Sequence, residues 1–234
     1  MKSQAISVYR SLLGSPAEDL AFEEQMLKMA AEGKSSLFIY SWKTPALVLG
    51  IAQKPETVAL ESCATLGIPV IKRLTGGTGV LSQNDLAVTL ALPDSHPYAK
   101  TIAGLYEHFL RPIKAALNDL GVDVQKPVFE APVFEEPAGE KSASARMKRS
   151  PLCFEDIRNE TFLSDGKKCV GCAQARRRGA VLIHGSLLLD LKAELTAKCF
   201  GMPQSRIEKA LAGIPLLPQV LAPALEQAML QYFS

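Results

Sequence analysis

Several features that define protein classes are missing from this sequence. It has no apolar run near the length of about 18 residues that a membrane-spanning helix needs, and its net charge of +2 gives no overall affinity for nucleic acid. Aromatic residues make up only 6%, but hydrophobic residues make up 47% and charged residues 21%, which are ordinary values for a globular protein. Global disorder, collagen and a coiled coil are therefore excluded. We expect neither a membrane nor a nucleic acid as partner.

Signals for export and for disulfide bonding are also missing. Glu18, Glu23 and Glu24 interrupt the apolar residues near the start, so this stretch does not have the pattern of a signal peptide. Five cysteines are an odd number, and their spacing is uneven. In a chain without export signals, such cysteines favour reduced thiols and a cytoplasmic protein.

Apolar periodicity predicts an α+β fold in one domain, residues 1–234. The sequence Ser-Pro-Ala-Glu from Ser15 predicts the start of a helix that runs to about Glu32, and helical spacing recurs over 102–120. Short apolar runs bounded by turn residues predict strands, and mostly short helices are expected from 191 to 233. The predicted strands are 36–42, 45–52, 68–72, 85–92, 160–163, 167–174 and 179–189. The first four suggest an antiparallel or mixed sheet.

Residues 128–150 differ from the rest of the chain. Prolines and acidic residues are followed by a run of lysines and arginines, with no apolar periodicity. Loops of this length are usually functional lids or disordered segments. We therefore predict a flexible lid at 128–150.

A glycine-rich segment, 72–80, separates two of the predicted strands. Its glycines at 76, 77 and 79 allow a tight turn whose backbone N–H groups could hold a carboxylate or phosphate, with Arg73 as a bidentate clamp. The segment matches neither the P-loop nor the dinucleotide fingerprint. Taken alone, it is better explained as a hairpin turn with a solvated arginine.

Two further segments could carry chemistry. Strand alternation over 167–174 predicts that Lys168 shares a face with Val170 and Cys172, where it either meets an anion or reaches solvent near the turn. The same alternation turns Cys169 and Cys172 to opposite faces, which disfavours a disulfide or a shared zinc. His184-Gly185 interrupts an apolar strand, and a lone histidine there is more often a core residue than a catalyst.

Taken together, the motifs of this chain resemble those of the lipoate–protein ligases and octanoyltransferases, distant relatives of the biotin ligases. Five segments in the family's order carry the resemblance, and they cover residues 19 to about 190. These are the Asp-Leu-Ala-Phe-Glu-Glu of 19–24, the Pro-Ala-Leu-Val-Leu-Gly of 45–50, the Arg-Leu-Thr-Gly-Gly of 73–77, the Gly-Lys-Lys of 166–168 and the His-Gly-Ser-Leu-Leu of 184–188. The resemblance implies a central mixed β-sheet flanked by helices.

The resemblance also implies a set of site residues. Lys168 corresponds to the family's essential lysine, whose charge contacts the acyl carbonyl and stabilises the developing oxyanion. The substrate or adenylate pocket would take in Arg73, Thr75, Gly76, Gly77, Thr78, Asp156, Gly171, His184 and Gly185.

This chain departs from the family pattern on the phosphate side of the expected pocket. Thr78 stands where the family has a third glycine, Gly79 where it has alanine, and Ile51 where it has arginine. The family's His-Asp after the loop is Ser82-Gln83 here. These changes predict that phosphate binding is weakened or rebuilt.

Two enzymatic functions and one binding function compete. A ligase would use ATP and Mg²⁺ to activate lipoate or octanoate as an acyl-adenylate, with Asp156 near the adenylate. A transferase would take a thioester donor through a nucleophilic cysteine, for which Cys153-Phe154 is the candidate. The glycine-rich segment looks more like that of the ligases, because the corresponding transferase motif has arginine at the position of Thr78. We therefore expect a ligase, with a non-catalytic lipoyl-domain or acyl-binding module as the third alternative.

The expected partners follow from the same resemblance. They are lipoyl domains of 2-oxoacid dehydrogenase complexes or the H protein of glycine cleavage. About 44 residues follow Asp190, too few for the accessory C-terminal domain of the ligases, so a separate accessory subunit is a further expectation. The type of metal site, if any, is not predicted.

Overall fold

A computed structural model describes residues 5–83, 85–128, 150–152 and 161–233. The predicted lid at 128–150 lies almost wholly outside these ranges, as do the candidate residues Cys153 and Asp156. Within the described ranges, no helix is both long enough and apolar enough to cross a membrane.

The described part of the chain contains strands β1 to β9 and helices α1 to α6. The strands are β1 (Ser7–Gly14), β2 (Ser36–Trp42), β3 (Ala46–Leu49), β4 (Val70–Lys72), β5 (Val80–Ser82), β6 (Leu86–Pro93), β7 (Thr161–Ser164), β8 (Lys167–Arg177) and β9 (Ala180–Leu187). The helices are α1 (Pro16–Ala31), α2 (Leu60–Thr65), α3 (Ile102–Asp119), α4 (Ala193–Phe200), α5 (Gln204–Ala210) and α6 (Pro218–Phe233).

The strands form two mixed sheets. The larger has the order β1-β2-β6-β9-β8-β7, in which β1 and β2 are parallel and the other pairs antiparallel. The smaller has the order β4-β3-β5, with β3 parallel to β4 and antiparallel to β5. The predicted α+β fold with a mixed sheet flanked by helices is confirmed. The four strands predicted between the first two helices do not form one sheet, however, because β2 and β6 join the larger sheet and β3 and β4 the smaller.

Helices cover both faces of the larger sheet. On one face, α1 buries Met26, Leu27 and Ala30 against apolar residues of β2, β6 and β9. On the other, α3 and α6 pack together, and Phe109 and Leu225 are fully buried in the largest apolar cluster. The helical spacing predicted over 102–120 arises from this contact, because one side of α3 must face the sheet.

Strands β1 and β5 and the short helix α2 were not predicted from the sequence, and α6 is longer than expected. β1 is an edge strand whose residues are mostly exposed or half-buried, so it lacks a strong apolar signal. β5 has only three residues and follows the glycine-rich segment directly. α6 is a 16-residue helix rather than a short one, although Pro223 interrupts its hydrogen bonds. Its buried side chains at Leu221, Leu225 and Met229 recur every four residues, and this packing offsets the cost of the proline.

The hairpin predicted at Asp165-Gly166 is confirmed. Both residues have positive φ angles, 50° and 75°, as a type I′ turn requires. The strict alternation predicted for β8 is wrong, because the β7–β8 register shifts between Phe162, which pairs with Val170, and Leu163, which pairs with Lys168. Cys169 is the extra residue of this bulge, and it is buried together with both of its neighbours.

Candidate functional site

A large cavity of about 580 Å³, partly open to solvent, lies where the two sheets meet. Its lining is mostly apolar and comes from β2, β3, β5, β6, β8 and β9 and from α1. Four of the predicted site residues line it: Arg73, Gly171, His184 and Gly185. The walls are completed chiefly by Leu20, Tyr40, Trp42, Val48, Val80 and Cys172. The resemblance to the family did not predict that Tyr40 and Trp42 line the cavity.

The glycine-rich segment is fastened to the end of β3. The N–H of Arg73 donates to the carbonyl oxygen of Leu49, and the N–H of Ile51 donates to that of Thr75, at 3.0 and 2.9 Å. Between these bonds Gly50 lies so close that a Cβ atom there would overlap the carbonyl oxygen of Gly77. Gly77 itself has a φ of 94°, which disfavours any side chain. The close approach of these two backbones therefore requires glycine at both positions.

The guanidinium of Arg73 organises this segment from within. It is only 6% exposed, and it donates to Thr75 Oγ1 at 2.9 Å, to the Gly76 carbonyl at 2.8 Å and to the Thr78 carbonyl at 3.0 Å. These donors are directed at the loop's own oxygens. These contacts of the guanidinium hold the loop in shape, and the use of Arg73 as a bidentate clamp on a ligand stays a prediction.

His184 connects the glycine-rich segment to α1. Its Nε2 lies 2.8 Å from Thr75 Oγ1, and its Nδ1 lies 3.0 Å from Glu23 Oε1. A carboxylate only accepts hydrogen bonds, so Nδ1 carries a hydrogen and donates to Glu23. Thr75 Oγ1 accepts from Arg73 Nε and shares a hydrogen bond with His184 Nε2. The result is a chain of hydrogen bonds from Arg73 through Thr75 and His184 to Glu23.

Glu23 is the buried end of this chain. It is fully buried, and it also accepts from the hydroxyls of Tyr40 and Thr89. Burial raises the pKa of Glu23, but the charge and hydrogen bond of His184 and the two hydroxyls outweigh it, so the net pKa lies below its ordinary value. Burial, followed by the charge of Glu23, raises the pKa of Tyr40 well above its ordinary value.

A second acid lies one helical turn earlier on the same face of α1. Asp19 is 6% exposed, and it accepts a hydrogen bond of 2.9 Å from the indole Nε1 of Trp42. Burial raises the pKa of Asp19. Asp19 and Glu23 thus hold the two aromatic walls of the large cavity. The sequence analysis gave neither acid a role. Their spacing of four residues, on the buried face of a predicted helix, was the signal that could have identified them.

Lys168 lies at the same end of β8 as the turn, outside the lining of the large cavity. It is 3% exposed, its carbonyl oxygen accepts from the N–H of Ala212, and it forms an isolated β-bridge with Leu211. Gly171, which lines the cavity, follows three residues later on the same strand. Lys168 is thus a buried lysine three residues from the cavity lining along β8, and not a solvated residue near the turn.

The described cysteines are Cys63, Cys169, Cys172 and Cys199, and all four are free thiols. Burial raises the pKa of both Cys169 and Cys199 to about 12, which makes a thiolate scarce at either position. Cys169 and Cys172 are not joined by a disulfide. Within the described ranges, no group of three or more His, Cys, Asp and Glu side chains is arranged to hold a metal ion.

The fold and the cavity define a catalytic domain of the kind that handles lipoyl or related acyl groups. The family pattern described as "Lipoyl protein ligase A/B catalytic domain" matches residues 15–227. This chain belongs to that family, which confirms the resemblance seen in its motifs, and it is an enzyme of the lipoate ligase and octanoyltransferase group.

Curated relatives of the chain carry one name. The octanoyltransferase LipM of Geobacillus kaustophilus is 34% identical over 200 residues, which are 84% of this chain and 69% of the relative. The octanoyltransferase LipM of Bacillus subtilis is 29% identical over 201 residues, with 84% and 70% covered. These relatives overturn the prediction of an ATP-dependent lipoate–protein ligase. The prediction was wrong because it gave the single difference at Thr78 more weight than the Cys153-Phe154 match.

Solved structures show the same fold at low sequence identity. A lipoate–protein ligase A bound with ATP has a TM-score of 0.75 and 18% identity, covering 97% of this chain and 85% of its own. A bipartite lipoate protein ligase from Thermoplasma acidophilum, solved in a study that included its E2 lipoyl domain, has a TM-score of 0.75 and 17% identity, with 98% and 84% covered. Because identity is this low, these structures support the fold and do not support the ATP and Mg²⁺ that were expected with a ligase.

Proposed function

We propose that this protein transfers an octanoyl group from a thioester donor to a lysine of a lipoyl domain, with Cys153 as the intermediate carrier. The observation that carries the proposal is the 34% identity with an octanoyltransferase over 84% of the chain. In the first step the sulfur of Cys153 attacks the donor thioester and releases the donor thiol. In the second the lysine amine attacks the new thioester and releases Cys153.

The large cavity suits the acyl chain of this substrate. Its apolar walls include Leu20, Val48 and Trp42, and Gly171 and Gly185 also line it. Each methylene group moved from water into such walls contributes about 0.8 kcal/mol. The aromatic walls are held by Asp19 and Glu23, so the cavity is formed before the chain enters and little ordering is needed on binding.

Lys168 supplies the charge for the transfer in this proposal. A buried ammonium near the end of the cavity can stabilise the oxyanion that forms when either nucleophile attacks. Leu152 comes directly before Cys153 in the chain, and it forms a β-bridge with Gly79, while the Gly79 N–H donates to the Pro151 carbonyl at 2.8 Å. These contacts tie Pro151 and Leu152 to the end of the glycine-rich segment.

The acceptors we propose are lipoyl domains of 2-oxoacid dehydrogenase complexes or the glycine cleavage H protein. Both present a lysine on a folded domain, and a bulky protein acceptor fits a cavity that opens to solvent. The proposal needs neither ATP nor an accessory ligase subunit.

The test uses an unmodified lipoyl domain and an octanoyl thioester of an acyl carrier protein, without ATP. Intact mass should show one octanoyl group added to the lipoyl domain, and quenched enzyme should carry an octanoyl adduct that peptide mapping places on Cys153. Cys153→Ala should lose both signals, whereas Cys63→Ala, which alters a buried thiol in another apolar cluster, should keep them. Modification that requires lipoate with ATP, or an adduct mapped to Cys172, would overturn the proposal.

A further inference from the structure

A second, smaller cleft of about 330 Å³ lies on the other side of Val80, which lines both spaces. We refer to it as the small cleft, and its walls include Gln83, Asp85, Leu152, Leu188 and Leu211. It is partly open to solvent, and its enclosed portion has room for about one water-sized group. No motif in the sequence analysis pointed to it.

Two acceptor atoms in the small cleft have no hydrogen-bond partner among the described residues. They are Oδ2 of Asp85 and Oε1 of Gln83, both of which are inaccessible to solvent. Asp85 is only 3% exposed, and its other oxygen, Oδ1, accepts from the N–H of Leu189 at 3.3 Å. Leaving such acceptors buried and unpaired costs free energy. The small cleft is therefore complementary to a compact group that donates several hydrogen bonds, such as an ammonium.

Two charged residues at the rim of the small cleft pair with each other. Asp190 and Lys192 line it and form an ion pair of 2.6 Å, with each side chain about half exposed. Because the two rim charges neutralise each other, Lys192 is not positioned as the partner of Asp85.

The small cleft lies at the same end of the larger sheet as Lys168. On β9, Leu187 pairs with Leu86 on one side and with Val170 on the other. Asp85 comes directly before Leu86, and Lys168 lies two residues before Val170, so the two residues flank the end of β9. Leu188 and Leu211, which contact the backbone around Lys168, both line the small cleft. Leu152, the neighbour of Cys153 in the chain, is a further wall.

We infer that the small cleft receives the amine of the acceptor lysine, and that Asp85 takes the proton that this amine must lose before it can attack. The inference rests on the proposed acyl transfer. The acyl chain would then enter from one side of Val80 and the acceptor amine from the other. Asp85 would be a catalytic base in direct contact with substrate.

The proposed step is an aminolysis of the thioester. The lysine ammonium gives one proton to the Asp85 carboxylate, and the free amine attacks the thioester carbonyl carbon. The new C–N bond forms, the C–S bond breaks, and the departing thiolate takes the second proton from nitrogen. The products are an amide, a free thiol and a neutral Asp85 carboxyl, which returns its proton to solvent.

The surroundings of Asp85 match this role. Burial raises the pKa of Asp85 to about 8, and the charge of Asp190 adds to this effect, while the N–H groups of Leu189 and Gln83 and the hydroxyl of Ser82 oppose it. A carboxyl with such a pKa gains and loses a proton near neutral pH, as an efficient general base must.

The test separates the two half-reactions in the variant Asp85→Asn, which keeps the size of the side chain. Octanoyl-enzyme should form from the carrier thioester at the wild-type rate. Its transfer to the lipoyl domain should slow by about 10²–10⁴-fold, the usual contribution of a general base. Discharge by hydroxylamine, which is uncharged at neutral pH and needs no base, should be unchanged. Asp119→Asn, which alters an exposed acid at the end of α3 outside both cavities, is the matched control and should transfer at the wild-type rate.

Each other outcome overturns the inference. Wild-type transfer by Asp85→Asn would reduce Asp85 to a partner of the Leu189 N–H, and slower formation or hydroxylamine discharge of octanoyl-enzyme would show a structural role. If Asp85→Asn does not fold, Gln83→Met provides the test, because it removes the other unpaired acceptor. It should raise KM for the lipoyl domain several-fold without slowing octanoyl-enzyme formation, and an unchanged KM would contradict the inference. Failure of wild-type enzyme to form octanoyl-enzyme would instead contradict the proposed function.

Discussion

The large cavity and the small cleft share Val80 as a wall but treat buried acids in opposite ways. Beside the large cavity, Glu23 accepts hydrogen bonds from His184, Tyr40 and Thr89, and its pKa is lowered despite complete burial. In the small cleft, burial raises the pKa of Asp85 to about 8, although the N–H groups of Leu189 and Gln83 and the hydroxyl of Ser82 oppose this effect. Its Oδ2 has no hydrogen-bond partner among the described residues. Both acids are buried, and the difference is that Glu23 lies beside His184, whose charge and hydrogen bond help to outweigh burial. The first acid is committed to holding the structure, and the second is left able to take up a ligand or a proton.

The largest expected effect comes from Glu23→Leu, which removes the buried acid that accepts hydrogen bonds from three side chains. His184, Tyr40 and Thr89 would lose their common acceptor inside the protein. Removing one partner of a buried, hydrogen-bonded charge costs about 3–5 kcal/mol, and urea unfolding should show this loss. Glu18→Leu is the control. It changes an exposed acid in the first turn of the same helix and should change stability little. A loss below about 1 kcal/mol for Glu23→Leu would mean that the network contributes little.

A smaller effect is expected from the loop that this network supports. In Gly50→Ala the new Cβ would overlap the Gly77 carbonyl oxygen, so the glycine-rich segment must shift, at a cost of about 1–3 kcal/mol. Calorimetric binding of octanoate should weaken as the cavity wall moves. Gly76→Ala is the matched control, because a Cβ there has no atom within 4 Å. Equal stability and equal affinity in the two variants would show that the close approach is unimportant.

The smallest expected effect is the contribution of Asp85 to the pH dependence of stability. The folded-state pKa of Asp85 lies above its ordinary value of 3.8, so between about pH 4 and 8 the unfolded chain has lost this proton and the folded protein keeps it. Stability therefore falls as pH rises through that window, by at most about 1.4 kcal/mol per pH unit from this group. Asp85→Asn should remove this contribution, so its stability relative to wild type should be greater at pH 7 than at pH 6 in urea unfolding. A difference that is the same at both pH values would place the Asp85 pKa near its ordinary value.

Much of the fold was predictable because local signals and tertiary contacts agree. The proline at the start of α1, the apolar spacing of α3 and the Asp-Gly turn between β7 and β8 each act over a few residues, and the structure has all three. The family was also predictable, because its motifs are short contiguous segments. The choice between ligase and transferase was predicted wrongly. Thr78 and Asp156 were weighed against the Cys153-Phe154 motif, and similarity along most of the chain favours the transferase.

The sequence by itself determined the periodicities, turns and motifs that make this an α+β member of the lipoyl protein ligase A/B catalytic domain family. Tertiary structure alone decided which strands share a sheet, since pairing depends on contacts between distant residues such as β2 with β6. It also decided that the bulge at Cys169 buries Lys168, and that the donors of Arg73 are directed at its own loop. The different fates of Glu23 and Asp85 have the same origin. Nothing in the local sequence distinguishes these two acids. The charges and hydrogen-bond donors that folding brings to each one determine whether it is held as a charge or can exchange a proton.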